Sequence, residues 1–238
     1  GQMVGSPGEG VKTIMDMVTL TRLDCALASA GLMRAALGEA VHHSRHRVVF
    51  QKKLIEQPVM TRVLADMALD VAAATALSMR LARAFDRAAG NPAEAAFARV
   101  MTPVVKYWIC KLAPALVYEA MECLGGNGYI EEGNLARYYR EAPVNAIWEG
   151  SGNVMALDVL RVLSRGPQLL EEVLGWIGLH LGRAGKGTLE VLRAATEVCL
   201  RDEGSARILT EQLALAAAGA ELRNLGLGDL ADAFIETR

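Results

Sequence analysis

GVKTIMDMVTLTRLDCALASAGLMRAALGEAVHHSRH, residues 10–46, carries apolar side chains at Ile14, Val18, Cys25, Leu32, Ala36 and Val41, separated by polar and small residues. Helical steps of three, four and seven residues bring such positions onto one face. The spacing predicts one helix from near Gly10 to about His46. Roughly 35 residues is about three times the mean helix in globular domains, which points to a bundle of long helices and not to a mixed sheet protein.

Upstream of this helix, Val4-Gly5-Ser6-Pro7-Gly8-Glu9-Gly10 has turn chemistry. Phe50–Pro58 reads as a connection, with Pro58 suited to the first turn of a second helix that reaches about Ala89. Gly90-Asn91-Pro92 breaks it, and a third helix follows from about Ala93 to Leu124, tolerating Pro103 and Pro114. Gly125-Gly126-Asn127-Gly128 is a sharp loop; a short helix near Leu135–Glu141 and another from about Ala146 to Leu163 come next. Gly166-Pro167 marks a boundary. Beyond it, four shorter helices are expected near 168–181, 187–201, 204–218 and 226–237. No segment shows strand periodicity. The expected architecture is all-α: a core bundle over residues 1–166 and a helical extension over 167–238.

Composition agrees with that class. The 238 residues are 52% hydrophobic and only 5% aromatic, rich in good helix formers. No unbroken apolar run reaches the roughly 18–20 residues of a membrane span, and the first residues lack the pattern of a secretory signal. Cys25, Cys110, Cys123 and Cys199 are scattered without metal-ligand spacing, so they read as reduced core thiols of a cytoplasmic protein, with no metal site. Residues 1–166 hold 18 basic against 16 acidic side chains, and residues 167–238 hold 7 against 11. Neither part has the basic excess that grips nucleic-acid phosphates.

Three constellations carry chemistry, and spacing leaves each with two readings. Arg45-His46-Arg47-Val48-Val49-Phe50 ends the long helix. Cations there complement the helix dipole, or Arg47 binds an anion bidentately. In Gly125-Gly126-Asn127-Gly128-Tyr129 the glycines either cap a helix or let backbone approach a ligand. In Ile147-Trp148-Glu149-Gly150-Ser151-Gly152-Asn153, Glu149 is either a dipole-stabilised residue at a helix start or a carboxylate that apolar neighbours turn into a proton acceptor.

In this order, the three segments resemble the C-terminal domain of acyl-CoA dehydrogenases: an arginine–x–x–phenylalanine helix end, a GGNGY loop, and a glutamate-glycine-threonine entry to the last helix. Arg47…Phe50, Gly125–Tyr129 and Glu149-Gly150-Ser151 follow that pattern, over about residues 4–163. Thr21–Ala26, Leu54–Pro58, Pro143–Asn153 and Leu157–Arg161 look like the AidB-type branch, the adaptive-response proteins linked to DNA alkylation damage. The resemblance implies FAD held between subunits of a homo-oligomer. Arg47 and Phe50 would meet a neighbour's cofactor, Gly125 and Gly126 its ADP portion, and Ser151 and Asn153 the cofactor beside Glu149. Glu149 would remove the α-proton of an acyl-CoA, with Trp148, Arg22 and Arg161 around the substrate, the two arginines as buried cations.

Some positions depart from the family pattern. Glu122 replaces a cofactor-binding glutamine, Gln57 comes one residue earlier than the family's glutamine, and Gln51 replaces a glycine. A complete member begins with a helical domain and a β-domain, about 250–300 residues together. The resemblance therefore implies that this chain holds one side of the cofactor cleft, that its missing partners are those domains, and that its apolar faces associate with copies of itself. The alternative is a nucleic-acid-associated damage-response flavoprotein, which the acidic extension disfavours.

Overall fold

The structure, a computed structural model, describes residues 1–182 and 185–238. Helix α1 spans Gly10–His46, a two-residue hairpin pairs β1 (Val48–Val49) with β2 (Lys52–Lys53), and a 3-10 turn covers Leu54–Glu56. There follow α2 (Pro58–Arg87), α3 (Pro92–Leu124), the single turn α4 (Gly126–Tyr129), α5 (Asn134–Asn145) and α6 (Gly152–Arg165). The extension comprises α7 (Pro167–Leu181), α8 (Gly185–Arg201), α9 (Ala206–Asn224) and α10 (Gly228–Thr237).

Helix α3 is the centre. It packs against α1, α2, α5, α6, α7 and α9. From Ala96 to Cys110 it is apolar almost all round, and a helix of that kind is stable in water only when surrounded. It is long and apolar enough to cross a membrane, yet most of that stretch lies inside the bundle. Asn91 caps it by accepting from the Ala93 and Glu94 amides, and Pro92 occupies its first turn.

The inner face of α1 keeps only part of the expected seam: Cys25 and Ala36 are buried as expected, and the other four positions are not. Ala26, Ala30, Met33, Ala36 and Ala40 are buried, whereas Val18, Leu32 and Val41 sit at its edge and Ile14 is exposed. Small side chains at helical steps face the neighbours of α1, chief among them α3, while its first three turns are mostly exposed. The fold is all-α as expected, with a two-residue hairpin that no strand periodicity announces. Its turn residues, Phe50 and Gln51, have φ of 50° and 65°. Two left-handed residues in succession form the turn that matches strand twist. Gln51, where the family pattern has glycine, adopts this strained region without that residue's freedom.

The extension shares the bundle's core. Helix α9 lies on α2, α3 and α6, and α7 lies on α3. The Arg80 guanidinium of α2 stacks 3.8 Å from the Phe97 ring of α3 and 4.9 Å from the Trp176 ring of α7, while donating to Glu94 at 2.7 Å. Gly166 ends α6 and Pro167 begins α7, so chain direction changes there without a gap in the packing.

The GGNG segment is a cap followed by one helical turn. Gly125, at φ 59°, ends α3 with its amide donating to the Glu122 carbonyl. A side chain at Gly128 would place Cβ 2.3 Å from the Met121 carbonyl oxygen, whereas Gly126 has open space. Gly128→Ala should therefore destabilise the fold by about 1–3 kcal/mol, the usual effect of overpacking. Gly126→Ala should be nearly silent. Thermal melts of the two variants decide it; equal midpoints would refute the close approach.

Candidate functional site

The site is built on the connection between α5 and α6. Ala146 and Ile147 continue from α5 as turns, then the backbone reverses hand: Glu149 has φ 59° and Gly150 φ 105°. Ser151 is extended, and α6 begins at Gly152. The helix expected from Ala146 thus starts six residues later, and Glu149 lies in a strained loop ahead of it.

Two cations hold this loop by its carbonyls. Lys106, 1% exposed on α3, donates from Nζ to the Trp148 carbonyl at 2.8 Å and to the Gly150 carbonyl. Arg22, 8% exposed on α1, donates from Nε to the Glu149 carbonyl at 3.0 Å. Its Nη1 pairs with Asp158 Oδ2 of α6 at 2.9 Å. Three consecutive carbonyls thereby receive buried donors, which fixes a backbone that Glu149 alone would not favour. Burial pushes the Lys106 ammonium below the usual lysine range, with Arg22 adding to that and the Cys110 and Cys25 thiols and Glu149 opposing it.

Asp158 is the hub of a wider cluster. Arg99 Nη2 approaches its Oδ1 at 3.4 Å and Arg161 Nη1 at 3.6 Å. Arg161 is not the buried cation expected: its side chain is 59% exposed, one helical turn from Asp158 on the same helix. The enclosure expected around Glu149 also differs. Trp148 is 54% exposed and Ile147 is exposed, because neither lies on a helix face turned to the core. Trp148 instead donates from Nε1 to Asn145 Oδ1 at 3.2 Å. Glu149 borders a cavity of about 270 Å³ with Thr21, Asp24, Cys25 and Ala28 of α1, plus Asn145 and Trp148. Burial pushes the Cys25 thiol above its ordinary range.

The remaining candidates form a second group. Helices α1 and α3 run the same way, since Arg22 and Lys106 meet on one loop while Cys25 and Ser29 meet Cys110. From Lys106 to Gly125 is about 28 Å along the α3 axis at 1.5 Å per residue. Arg47 and Phe50, at the far end of α1, lie toward that same end. Phe50 is 90% exposed at the hairpin tip. Gln57 caps α2 and donates its amide to the Val49 carbonyl at 3.3 Å, bracing the hairpin. Glu122, Gly125 and Gly126 are exposed. Arg22, Trp148, Glu149, Ser151, Asn153 and Arg161 cluster at the Lys106 level; Arg47, Phe50, Gln57, Glu122, Gly125 and Gly126 do not join them.

Lys106, Asp158, Arg99 and Asp24 were not singled out from the sequence. The signal for the first was a lone lysine inside the apolar run Val104–Ile109, and for the second the single acid of the α6 segment.

Residues 8–164 match the family described as acyl-CoA dehydrogenase, C-terminal domain. The chain is 43% identical over 242 residues to AidB of Escherichia coli (strain K12), covering 99% of this chain and 43% of that protein. Among solved structures, the apo-form of Bd2924 superposes with a TM-score of 0.87 at 29% identity, over 95% of this chain and 45% of that one. Caenorhabditis elegans ACDH-11 in complex with C11-CoA gives 0.78 at 29% identity, over 97% and 44%. The chain spans less than half the length of each.

Proposed function

The chain belongs to the acyl-CoA dehydrogenase family, and from that premise we propose that it is the C-terminal part of an FAD-dependent, AidB-like flavoprotein that removes hydrogens from the α and β carbons of an acyl-CoA thioester. The observation that carries the reading is the loop of Glu149, whose Trp148, Glu149 and Gly150 carbonyls accept from Lys106 and Arg22 and which holds Glu149 in the lining of a cavity. FAD, when bound, supplies the hydride acceptor. Glu149 takes the α-proton, and Lys106, Arg22 and Asp158 orient it. Ser151 fits a polar group, since its side chain leaves the α6 amides uncapped, and with Asn153 it borders a 400 Å³ cavity.

The two separated groups of candidate residues support assembly with copies of itself. In this reading Arg47, Phe50, Gln57, Glu122, Gly125 and Gly126 serve a neighbouring subunit's cofactor, and Ser151 and Asn153 their own. Exposed Val11, Ile14, Met15, Met17 and Leu20 on the first three turns of α1 support docking against the remaining domains of the same protein. Four free, buried thiols fit a cytoplasmic setting.

The test is spectroscopic. The purified chain should carry no stoichiometric flavin band, because half a cleft loses most contacts yet still orders the ligand. The product of the full reading frame should carry the band and lose it on addition of an acyl-CoA. A stoichiometric band on the chain alone, or a colourless full-length product, contradicts the proposal.

A further inference from the structure

The cavity beside the start of α6 is lined by Lys111, Ser151, Gly152, Asn153 and Arg207 among apolar neighbours, and no carboxylate is among its lining residues. Both cations flank Tyr107, with the Lys111 ammonium and the Arg207 guanidinium each 5.9 Å from its ring centroid. Arg207 Nε donates to the Tyr107 hydroxyl at 3.1 Å. Lys111 and Tyr107 lie close on the loop: a Cβ at Gly152 would sit 3.4 Å from Lys111 Cδ and from Tyr107 Cε2. Two acids lie near Arg207 outside this lining. Glu203 lines the adjoining cavity with Arg207, and Glu211 acts on Arg207 from one turn along α9. Two cations and two polar side chains lining one cavity without a carboxylate form a place for an anion. Arg207 also lies beyond residues 8–164, the part that matches the family domain.

We propose that Arg207 and Lys111 make this cavity a phosphate seat, through which the helical extension helps to hold a diphosphate-bearing ligand against Ser151 and Asn153. The inference rests on the reading of Ser151 and Asn153 as cofactor contacts and adds to it a residue from outside the family domain. Arg207 offers paired N–H donors to phosphate oxygens while its Nε stays braced on Tyr107; Lys111, lining the same cavity, adds a point charge.

The test is calorimetric titration of this chain with ADP, inorganic pyrophosphate and adenosine. ADP and pyrophosphate should bind, more weakly as salt rises, and adenosine at least roughly tenfold more weakly than ADP. Arg207→Met should weaken ADP about tenfold, with Arg207→Lys recovering part of the loss. Circular dichroism melts confirm that both variants fold. ADP binding no tighter than adenosine, or an Arg207→Met chain that binds ADP like its parent, overturns the proposal. If Asn153→Ala weakens ADP and Arg207→Met does not, the role of the extension falls while the cofactor reading stands. If Arg207→Met weakens ADP but the full-length product carries no flavin, the phosphate seat stands and the cofactor reading falls.

Discussion

Glu149→Gln in the flavin-loaded full-length product should abolish acyl-CoA-dependent flavin reduction while FAD remains bound. The substitution keeps the side chain's size and removes its ability to accept a proton, so a general-base role predicts a loss of at least roughly 10³-fold. Other acids are poorly placed for the task. Glu131 is engaged by both Nη atoms of Arg140, Glu141 by Arg137 and Glu171 by Arg193, all at the surface. Asp158 is buried among three arginines, which consume its acceptor capacity. Among the described residues Asp24 is the competitor, because it borders the same cavity. It is exposed on the regular helix α1, whereas Glu149 is half-buried in the loop held by Lys106 and Arg22. Asp24→Asn should therefore leave most of the reduction rate intact. Stopped-flow bleaching of both variants separates the two carboxylates: a Glu149→Gln protein that bleaches as fast as its parent removes the assignment, and loss confined to Asp24→Asn transfers it.

Several helix ends were legible from glycine and proline, although Pro103, Pro114 and Pro143 lie inside helices. Pro58, Pro92, Gly125 and Gly166-Pro167 each fall at a boundary, since the missing proline N–H and the left-handed freedom of glycine act through one or two residues. The start of α6 was not legible. Ala146-Ile147-Trp148-Glu149 has no local breaker, and its conformation is set by Lys106 and Arg22, 42 and 127 residues away from their carbonyl partners Trp148 and Glu149. The inner face of α1 was missed for a related reason. Cys25 and Ala36 were placed on it, but Ile14, Val18, Leu32 and Val41 drew the rest of the seam away from Leu23, Ala26, Ala30, Met33 and Ala40, and which of two neighbouring faces is covered depends on the partner helices. The cofactor candidates were found by motif, yet their division between two ends of the bundle follows from the parallel course of α1 and α3, which no spacing encodes. The type I′-like turn at Phe50-Gln51 was hidden because neither residue is glycine.

Lys106→Met should slow flavin reduction by roughly 10²-fold, the scale set by an ångström of misplacement at a reacting group, without loss of FAD. Methionine fills a similar volume but cannot donate, so the Trp148 and Gly150 carbonyls each lose a buried partner, at about 1–3 kcal/mol where water cannot replace it. Against this, the variant no longer buries an ammonium whose charged form its surroundings disfavour. The two effects oppose each other in global stability, and the melting midpoint should move little. They do not oppose each other in the loop. Glu149 sits in a left-handed conformation that costs about 1–2 kcal/mol for a residue with a side chain, and with Arg22 as its remaining tether the segment gains access to ordinary backbone. Amide hydrogen exchange over residues 148–152 should accelerate in the variant while exchange in α3 stays slow. That local signature distinguishes a positioning role from general damage to the core, which would loosen α3 as well. Unchanged exchange in the loop, together with a reduction rate equal to the parent's, would show that the sequence 147–152 holds Glu149 in place without help from the buried lysine.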